Sequence, residues 1–451
     1  MRSQCRNSLG RKTLAALAAC FVGGLLLWTH RWGDPSVSPA ETLAAENPFK
    51  WYRGNIHTHT LWSDGDDYPE MVALWYKEHG YDFLSFSDHN TILKSERWTD
   101  VVNGNGGQRA LDKLKARFSS DWIEERTNAK HFQEVRLKTF AEIVDKIASP
   151  GRFLLIQGEE ISDAFQNVPI HMNATNLREL IPPMGGESFH EVMQRNTDAL
   201  VAQRERTGQS MIIHLNHPNF QYGITAEDLA RVRGENFFEV YNGHCKVNND
   251  GDEYHASAER IWDVILTLRI TALHLPLMWG LATDDGHHYH DIPSRHNEPG
   301  RGWIVVLARS LTATELIKSM ERGWFYASTG VTVDRFAVSR HGIEVRIKPE
   351  EGVEYTIDFI GTQTGFDVAS EAVLGELSGA SLRTTRRYSN DIGRVLKSYS
   401  GTRAVYEFGN NDLYVRPRVT STKMHPNPSI PGEYERAWCQ PVRGPAGWRI
   451  R

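Results

Sequence analysis

The sequence predicts an α/β fold followed by a β-rich unit, and three observations predict it. From Trp51 to about Gly330, strand-like apolar runs alternate with helical stretches, the pattern of successive β-α-β units. Those runs repeatedly discharge into His, Asp or Glu, as in "FLSFSDHN", "RFLLIQGEEIS", "VPIHMNAT", "SMIIHLNHP", "NFFEVYNGH" and "LMWGLATDDGHH". After about Val333 the period becomes two, with Ile343, Val345 and Ile347 alternating with Glu344, Arg346 and Lys348, so antiparallel strands are expected there. The expected division is 1–48 as a targeting segment and linker, 49–332 as the α/β domain, and 333–451 as a small β-domain of sandwich type.

At the N-terminus, Arg2, Arg6, Arg11 and Lys12 precede an apolar run from Leu14 to Trp28. This is an export signal. The run is shorter than a comfortable membrane span, and Ala40 and Ala45 offer cleavage sites, so a cleaved peptide and a retained membrane anchor both fit. "LAAC" at Leu17 to Cys20 resembles a lipobox, but the apolar "FVGGLLLW" behind it disfavours lipidation. The expected location is the periplasm or the outer face of a bacterial membrane. Of four cysteines, Cys5 and Cys20 fall in this segment, leaving Cys245 and Cys439. Two cysteines make no disulfide scaffold, and these are expected to stay unpaired.

The first strand is expected at "GNIHTHT". Residues i and i+2 of a strand share a face, so His57 and His59 project side by side in a chelating geometry. "DDYPEMVALWYKEHG" reads as a helix with Asp66 or Asp67 as N-cap, Pro69 in the first turn and Gly80 at its end. "YDFLSFSDHN" then completes a β-α-β unit. Arg97 to Pro150 reads as a charged, mostly helical insertion. Its "NGNGG" is a surface loop, since no GxxxxGK[ST] is present and no strand is expected to feed it. Beyond Val333, "EYTIDFIG", "AVYEFGN" and "DLYVRPRVTS" are further strands.

Composition excludes several function classes. Against 51 Lys and Arg stand 56 Asp and Glu, for a net charge of −5, which gives no nucleic-acid signal. The chain has no GxSxG and no CxxC, so serine-hydrolase and redox readings lack a foothold. The metal-capable residues are His, Asp and Glu, which suit zinc, manganese or iron; thiolates would point to structural zinc. In barrel-like α/β proteins, residues at the C-terminal ends of strands converge on one pocket.

An isolated HxH is a weak signal, but here it opens an ordered series. "HTHTLWSDG", "FLSFSDHNT", "GEEIS" followed by "IHMNA", then "NHPN", "EVYNG" and "DDGHH" together resemble the PHP (polymerase and histidinol phosphatase) domain over Tyr52 to Gly330. The resemblance implies a distorted seven-stranded, TIM-like β/α barrel holding two or three divalent ions (Mn, Zn or Fe). It implies one metal on His57, His59, Glu160 and Asp285, and a second on Glu160, His171 and His217. A third would sit between Asp64, His89 and His287. Glu159 competes with Glu160, Asp284 with Asp285, His288 with His287 and His214 with His217. The D-x-H spacing selects Asp285 and His287, and the histidine before Pro218 is preferred.

Asp88, beside His89, is expected to accept a hydrogen bond from a ligand imidazole. Arg301 is expected to grip a phosphate or carboxylate of the substrate. His244, His255, His274, His290 and His296 are left unassigned. "GRGWIVVLARSLTATELIKSMERGWFYASTGV" with the tail "AWCQPV" resembles the exported PHP branch that includes carbaryl hydrolase-like enzymes. Clustered divalent ions lower the pKa of water and neutralise charge on a scissile group. The resemblance therefore implies an exported phosphoesterase acting on a small organic phosphate. Carbamate, ester or amide hydrolysis is the second reading, and a non-catalytic metal-dependent binding module the third.

Overall fold

The computed structural model describes residues 49–450 apart from 374–375, 378–379 and 382. The basic and apolar N-terminal segment, with the export, cleavage, anchoring and lipidation expectations and with Cys5 and Cys20, lies outside the described residues. Cys245 is exposed, Cys439 is buried, and both are free thiols. Among the described residues no helix is long and apolar enough to cross a membrane.

Seven strands form the α/β part. β1 (Lys50–Asn55) pairs in parallel with β2 (Phe83–Phe86), and β2 in parallel with β3 (Leu154–Phe165). β3 makes an antiparallel hairpin with β4 (Val168–Thr175), which pairs antiparallel with β5 (Ile212–Leu215). β6 (Phe237–Asn242) and β7 (Trp279–Thr283) follow in parallel. Their apolar side chains are buried almost without interruption, as a sheet covered on both faces requires.

The strands were expected to close into a barrel. No ladder joins β7 to β1 among the described residues, because β8 (Trp303–Ala308) occupies the second edge of β1 in antiparallel register. The two ends of the series meet only beyond the strands, at an isolated parallel bridge between Thr58 and Gly286. The hydrogen-bonded order instead continues through β8 and β9 (Phe325–Ser328) into the C-terminal region as one 14-stranded mixed sheet.

The C-terminal strands are β10 (Val333–Ser339), β11 (Gly342–Ile347), β12 (Tyr355–Gln363), β13 (Arg394–Ser400), β14 (Arg403–Glu407), β15 (Asp412–Met424) and β16 (Tyr434–Cys439). β16 docks on β9 and extends the large sheet through β15, β12 and β13, so that sheet runs across the expected boundary at 332/333. β10, β11 and β14 form a separate antiparallel sheet. Val333, Val345, Ile357, Phe359, Tyr406 and Val419 fill a core shared by both sheets.

Several local expectations are corrected. Helix α1 (Pro69–Glu78) starts at Pro69, but Tyr68 occupies the N-cap position and no side chain caps it. Asp67 turns aside to Lys113, and Asp66 accepts from the Tyr289 N–H at 2.8 Å. The insertion holds two helices, α2 (Gly107–Arg117) and a shorter one over Phe140–Ile147, and a three-stranded sheet of Arg97–Asp100, Glu125–Thr127 and Gln133–Leu137. A strand therefore does lead into the "NGNGG" loop. The insertion leans on the α/β part, for Asn105 Nδ2 donates to the Asp64 carbonyl at 2.9 Å.

A buried ion pair fastens the C-terminal sheet to helix α3 (Ala258–Thr271). Arg416 donates to Asp263 from Nε at 2.8 Å and from Nη2 at 2.7 Å, with both side chains under 5% exposed. Removing one partner of such a pair strands the other charge in the core. Arg416→Met is therefore expected to lower the unfolding free energy by about 3–5 kcal/mol, checked by urea denaturation of wild type and variant.

Candidate metal centre

Each of the seven strands delivers a side chain to one cluster. His57 and His59 lie just beyond the last paired residue of β1 rather than inside it. The backbone stays extended there, with Thr58 bridging Gly286 and the His59 N–H donating to the Gly286 carbonyl at 3.0 Å. Both imidazoles consequently face the same way. His57 Nε2 lies 3.3 Å from Glu160 Oε2 and 3.2 Å from Asp285 Oδ1, and His59 Nε2 lies 3.0 and 3.2 Å from the same two atoms.

Glu160 stands within β3, not after it, because the β3–β4 hairpin extends past the rim; His171 sits on the partner strand opposite Ser162. The two Glu160 oxygens face different groups. Oε2 meets His57, His59 and His89 Nδ1 at 3.2 Å, while Oε1 meets His171 Nδ1 at 2.9 Å and His217 Nε2 at 3.6 Å. His217 Nε2 is also 4.0 Å from Asp285 Oδ2. Asp64 Oδ1 lies 3.4 Å from His287 Nε2, 3.5 Å from His59 Nδ1 and 3.6 Å from His89 Nε2. All nine residues expected as ligands thus meet in one place. The grouping differs in detail from the expected sets: His59 joins Asp64, His89 and His287, and His171 pairs with His89 across Glu160.

Adjacent residues divide because strands alternate faces and tight turns reverse direction. Glu159 points to the opposite side of β3, accepting from the Ile181 N–H at 2.6 Å, and burial pushes its pKa up to about 8. Asp284 accepts from the backbone N–H groups of Arg301 and Gly302 at 2.7 and 2.9 Å and from the Tyr76 hydroxyl at 2.9 Å. With Asp284 so anchored, Asp285 takes φ of 51° and turns into the cluster. His217 has φ of 20°. Positive φ outside glycine concentrates at sites where surrounding structure imposes it. His288 stacks on His296 at 4.7 Å, and His214 faces Glu239 at 3.3 Å.

Two expected roles are corrected. Asp88 touches no ligand imidazole. Neighbouring His89 in sequence turns it the other way, and it accepts from the Thr60 N–H and the Ser63 hydroxyl, each at 2.8 Å. Ser63 Oγ lies 3.4 Å from His59 Nδ1, so Asp88 reaches the cluster through Ser63. Arg301 is fully buried and is consumed by the protein itself. Nη1 donates to the Gly243 carbonyl at 2.9 Å, and Nη2 to Asn427 at 3.2 Å and Glu298 at 3.4 Å.

Glu239 was missed. Its Oε1 lies 2.7 Å from His57 Nδ1 and accepts from the Thr283 hydroxyl at 2.7 Å; Oε2 accepts from the His217 N–H and Asn242 Nδ2, each at 2.8 Å. The signal was a carboxylate between Phe238 and Val240 in the middle of an apolar strand. Asn216, which donates to Glu160 Oε1 at 2.8 Å, was missed too.

The donor set fits divalent ions. His57 Nδ1 faces Glu239, His89 Nδ1 faces Ser162 Oγ at 2.5 Å, and His287 Nδ1 faces the Asp285 carbonyl at 2.8 Å. Donation from Nδ1–H leaves an Nε2 lone pair for a metal, the usual arrangement of ligating histidine. His59 Nε2 is buried without a hydrogen-bond partner although two carboxylate oxygens lie nearby. Six imidazoles with three carboxylates suit zinc, manganese or iron.

Burial disfavours the His57 imidazolium, but Asp285, Glu239 and Glu160 outweigh it and hold its pKa well above the ordinary value. Burial likewise opposes ionisation of Glu160, yet His89, His57 and His171 hold its pKa well below the usual carboxylate range. Both shifts favour a protonated His57 beside an ionised Glu160 when no metal is bound. Ligation needs neutral imidazole, so metal must displace that proton and its affinity must fall as the pH falls. Manganese titrated into metal-free protein is expected to release protons, measured by calorimetry in buffers of different ionisation enthalpy. Glu239→Gln, which removes the carboxylate behind His57, is expected to weaken manganese binding by about 10–100-fold in the same titration.

No protein-family model matches the chain, and no curated protein matches it. Among solved structures, it is similar to a two-domain protein of Bacteroides vulgatus containing a predicted PHP-like metal-dependent phosphoesterase, at 14% identity and a TM-score of 0.37, over 87% of this chain and 96% of that one. It is similar to PsfC from Pseudomonas syringae at 12% identity and a TM-score of 0.31, over 60% and 88% of the two chains. It is also similar to a Bifidobacterium adolescentis protein named as a metal-dependent phosphoesterase, at 14% identity and a TM-score of 0.27, over 52% and 87%.

Proposed function

We propose that the protein is a metal-dependent hydrolase of the PHP class, acting as a phosphoesterase on a small organic phosphate monoester or diester. One observation carries the reading: the buried Glu160 carboxylate stands between two imidazole groups and presents one oxygen to each. That geometry suits a bridging ligand. In this reading the series β1 to β7, rejoined at Thr58 and Gly286, is the distorted seven-stranded barrel, and the basic-then-apolar N-terminus exports the enzyme.

His57, His59, Glu160 and Asp285 would hold one ion, Glu160, His171 and His217 a second, and Asp64, His89 and His287 a third. Bound divalent ions supply an activated water and neutralise charge on the oxygens of the scissile group. The chain's own residues do the positioning. Glu239, Ser162 and the Asp285 carbonyl set the tautomers of His57, His89 and His287. Asp64 and His89, at 50% and 28% side-chain exposure, mark the side open to substrate.

A second reading, hydrolysis of a carbamate, ester or amide at the same centre, draws support from Arg301. With its guanidinium engaged by Gly243, Glu298 and Asn427, it does not serve a substrate phosphate. The completeness of the ligand cluster disfavours a non-catalytic binding module.

Purified protein loaded with manganese or zinc is to be assayed on aryl phosphate monoesters, aryl phosphodiesters and naphthyl carbamates. Phosphoester turnover is expected; carbamate turnover without it would replace the leading reading by the second. Glu160→Ala is expected to abolish turnover and metal retention while leaving the circular-dichroism spectrum unchanged. His89→Ala is expected to lower phosphoester turnover by at least about 100-fold and metal content by about one equivalent, since one imidazole leaves a site.

A further inference from the structure

His244 belongs to none of the ligand groups, yet it stands at the cluster. Its ring lies 5.6 Å from that of His287 and 5.8 Å from that of Phe220, edge-on to both. Phe220 in turn packs 5.1 Å from His217. The backbone of His244 is tied to the centre, because Asn242 Oδ1 accepts from its N–H at 2.8 Å while Asn242 Nδ2 donates to Asp285 Oδ2 at 3.2 Å. The loop is pinned a second time. Asn297 accepts from the Cys245 N–H through its side chain at 3.1 Å and from the His287 N–H through its carbonyl at 2.8 Å.

The ring's protonation pattern is set as well. The Lys246 N–H donates to His244 Nδ1 at 3.1 Å, so Nδ1 is an acceptor and the proton of the neutral ring sits on Nε2. That nitrogen has no hydrogen-bond partner among the described residues. Three of the candidate ligand histidines show the opposite pattern: His57, His89 and His287 each turn Nδ1 toward an acceptor and keep Nε2 as a lone pair. His244 is therefore built to donate, not to ligate. With Arg301 withdrawn into the protein, it offers an N–H donor beside the centre.

Building on the hydrolase reading above, we infer that His244 contacts the substrate, donating its Nε2–H to a nonbridging oxygen of the phosphoryl group bound at the metal centre. A neutral donor held against Phe220 and His287 orients a tetrahedral oxyanion without adding a positive charge. Its loss should cost one hydrogen bond to a charged oxygen, about 10–100-fold in affinity or rate.

The test compares full-length wild type, His244→Ala and His244→Gln, each loaded with manganese. Metal content is read by elemental analysis, inorganic phosphate affinity by calorimetry, and turnover with bis(4-nitrophenyl) phosphate. Expected are unchanged metal content in all three, phosphate affinity and kcat/KM about 10–100-fold lower in His244→Ala, and partial recovery in His244→Gln, which restores an N–H donor. Wild-type phosphate affinity in His244→Ala, no phosphate binding by wild type, or loss of metal in either variant would each overturn the proposal. If wild type binds phosphate in a His244-dependent way but turns over no ester, this proposal stands and the hydrolase reading falls.

Discussion

Burying a carboxylate without compensation is among the costlier things a fold can do, and Glu160 is 1% exposed at the meeting point of five imidazoles. Much else in the α/β part follows from accommodating it. The β3–β4 hairpin must run antiparallel and past the rim, so that Glu160 in mid-strand and His171 opposite Ser162 project into one space. β1 and β7 must come together at Thr58 and Gly286, since their ends carry the histidines and aspartate that face Glu160. Cations are needed to balance this density of charge. The donor set fits metal ions in that role.

Hydrogen-bond acceptors around the cluster decide which nitrogen several of its histidines present. Glu239 does this for His57, Ser162 for His89 and a backbone carbonyl for His287, while Asp88 acts on His59 only through Ser63. His244 has its Nδ1 acceptor site filled by a backbone N–H. One type of side chain thus receives two chemical assignments, lone pair or donor, from the atom placed behind it. Orientation of this kind is inexpensive in sequence, needing one polar residue per histidine, and it demands a rigid support.

The C-terminal sheet provides part of that support. Gln440 clasps the backbone of Gly280 in β7 in both directions, at 3.0 and 2.8 Å, and β7 leads directly to Asp285. Asn427, on the connection between β15 and β16, holds Arg301, whose backbone N–H anchors Asp284. The Arg416–Asp263 pair fixes α3 against the same sheet. The large sheet therefore continues into the C-terminal strands and braces the strand on which the aspartates sit.

Local chemistry by itself determined the α/β alternation, the period-two strands after Val333 and the run of His, Asp and Glu that follows the apolar segments, while the choice of nine of them as ligands came from the ordered motif series and its resemblance to the PHP domain. Between neighbours, the D-x-H spacing selected Asp285 and His287, whereas Glu159 and Glu160 stood as competitors until the fold turned Glu159 to the Ile181 N–H and Glu160 to the histidines. Tertiary structure alone decided the rest. Glu239 reads locally as a lone acid in an apolar strand, and only the arrival of His57, His214 and His217 from distant segments gives it a role. Arg301 looked available because a sequence does not display the Gly243 carbonyl and Asn427 waiting for its guanidinium. Asp88 and His89 face different ways, and β8 rather than β7 takes the edge of β1, because hydrogen-bonding edges and side-chain directions are settled by which distant strand arrives, a contest that no local pattern records.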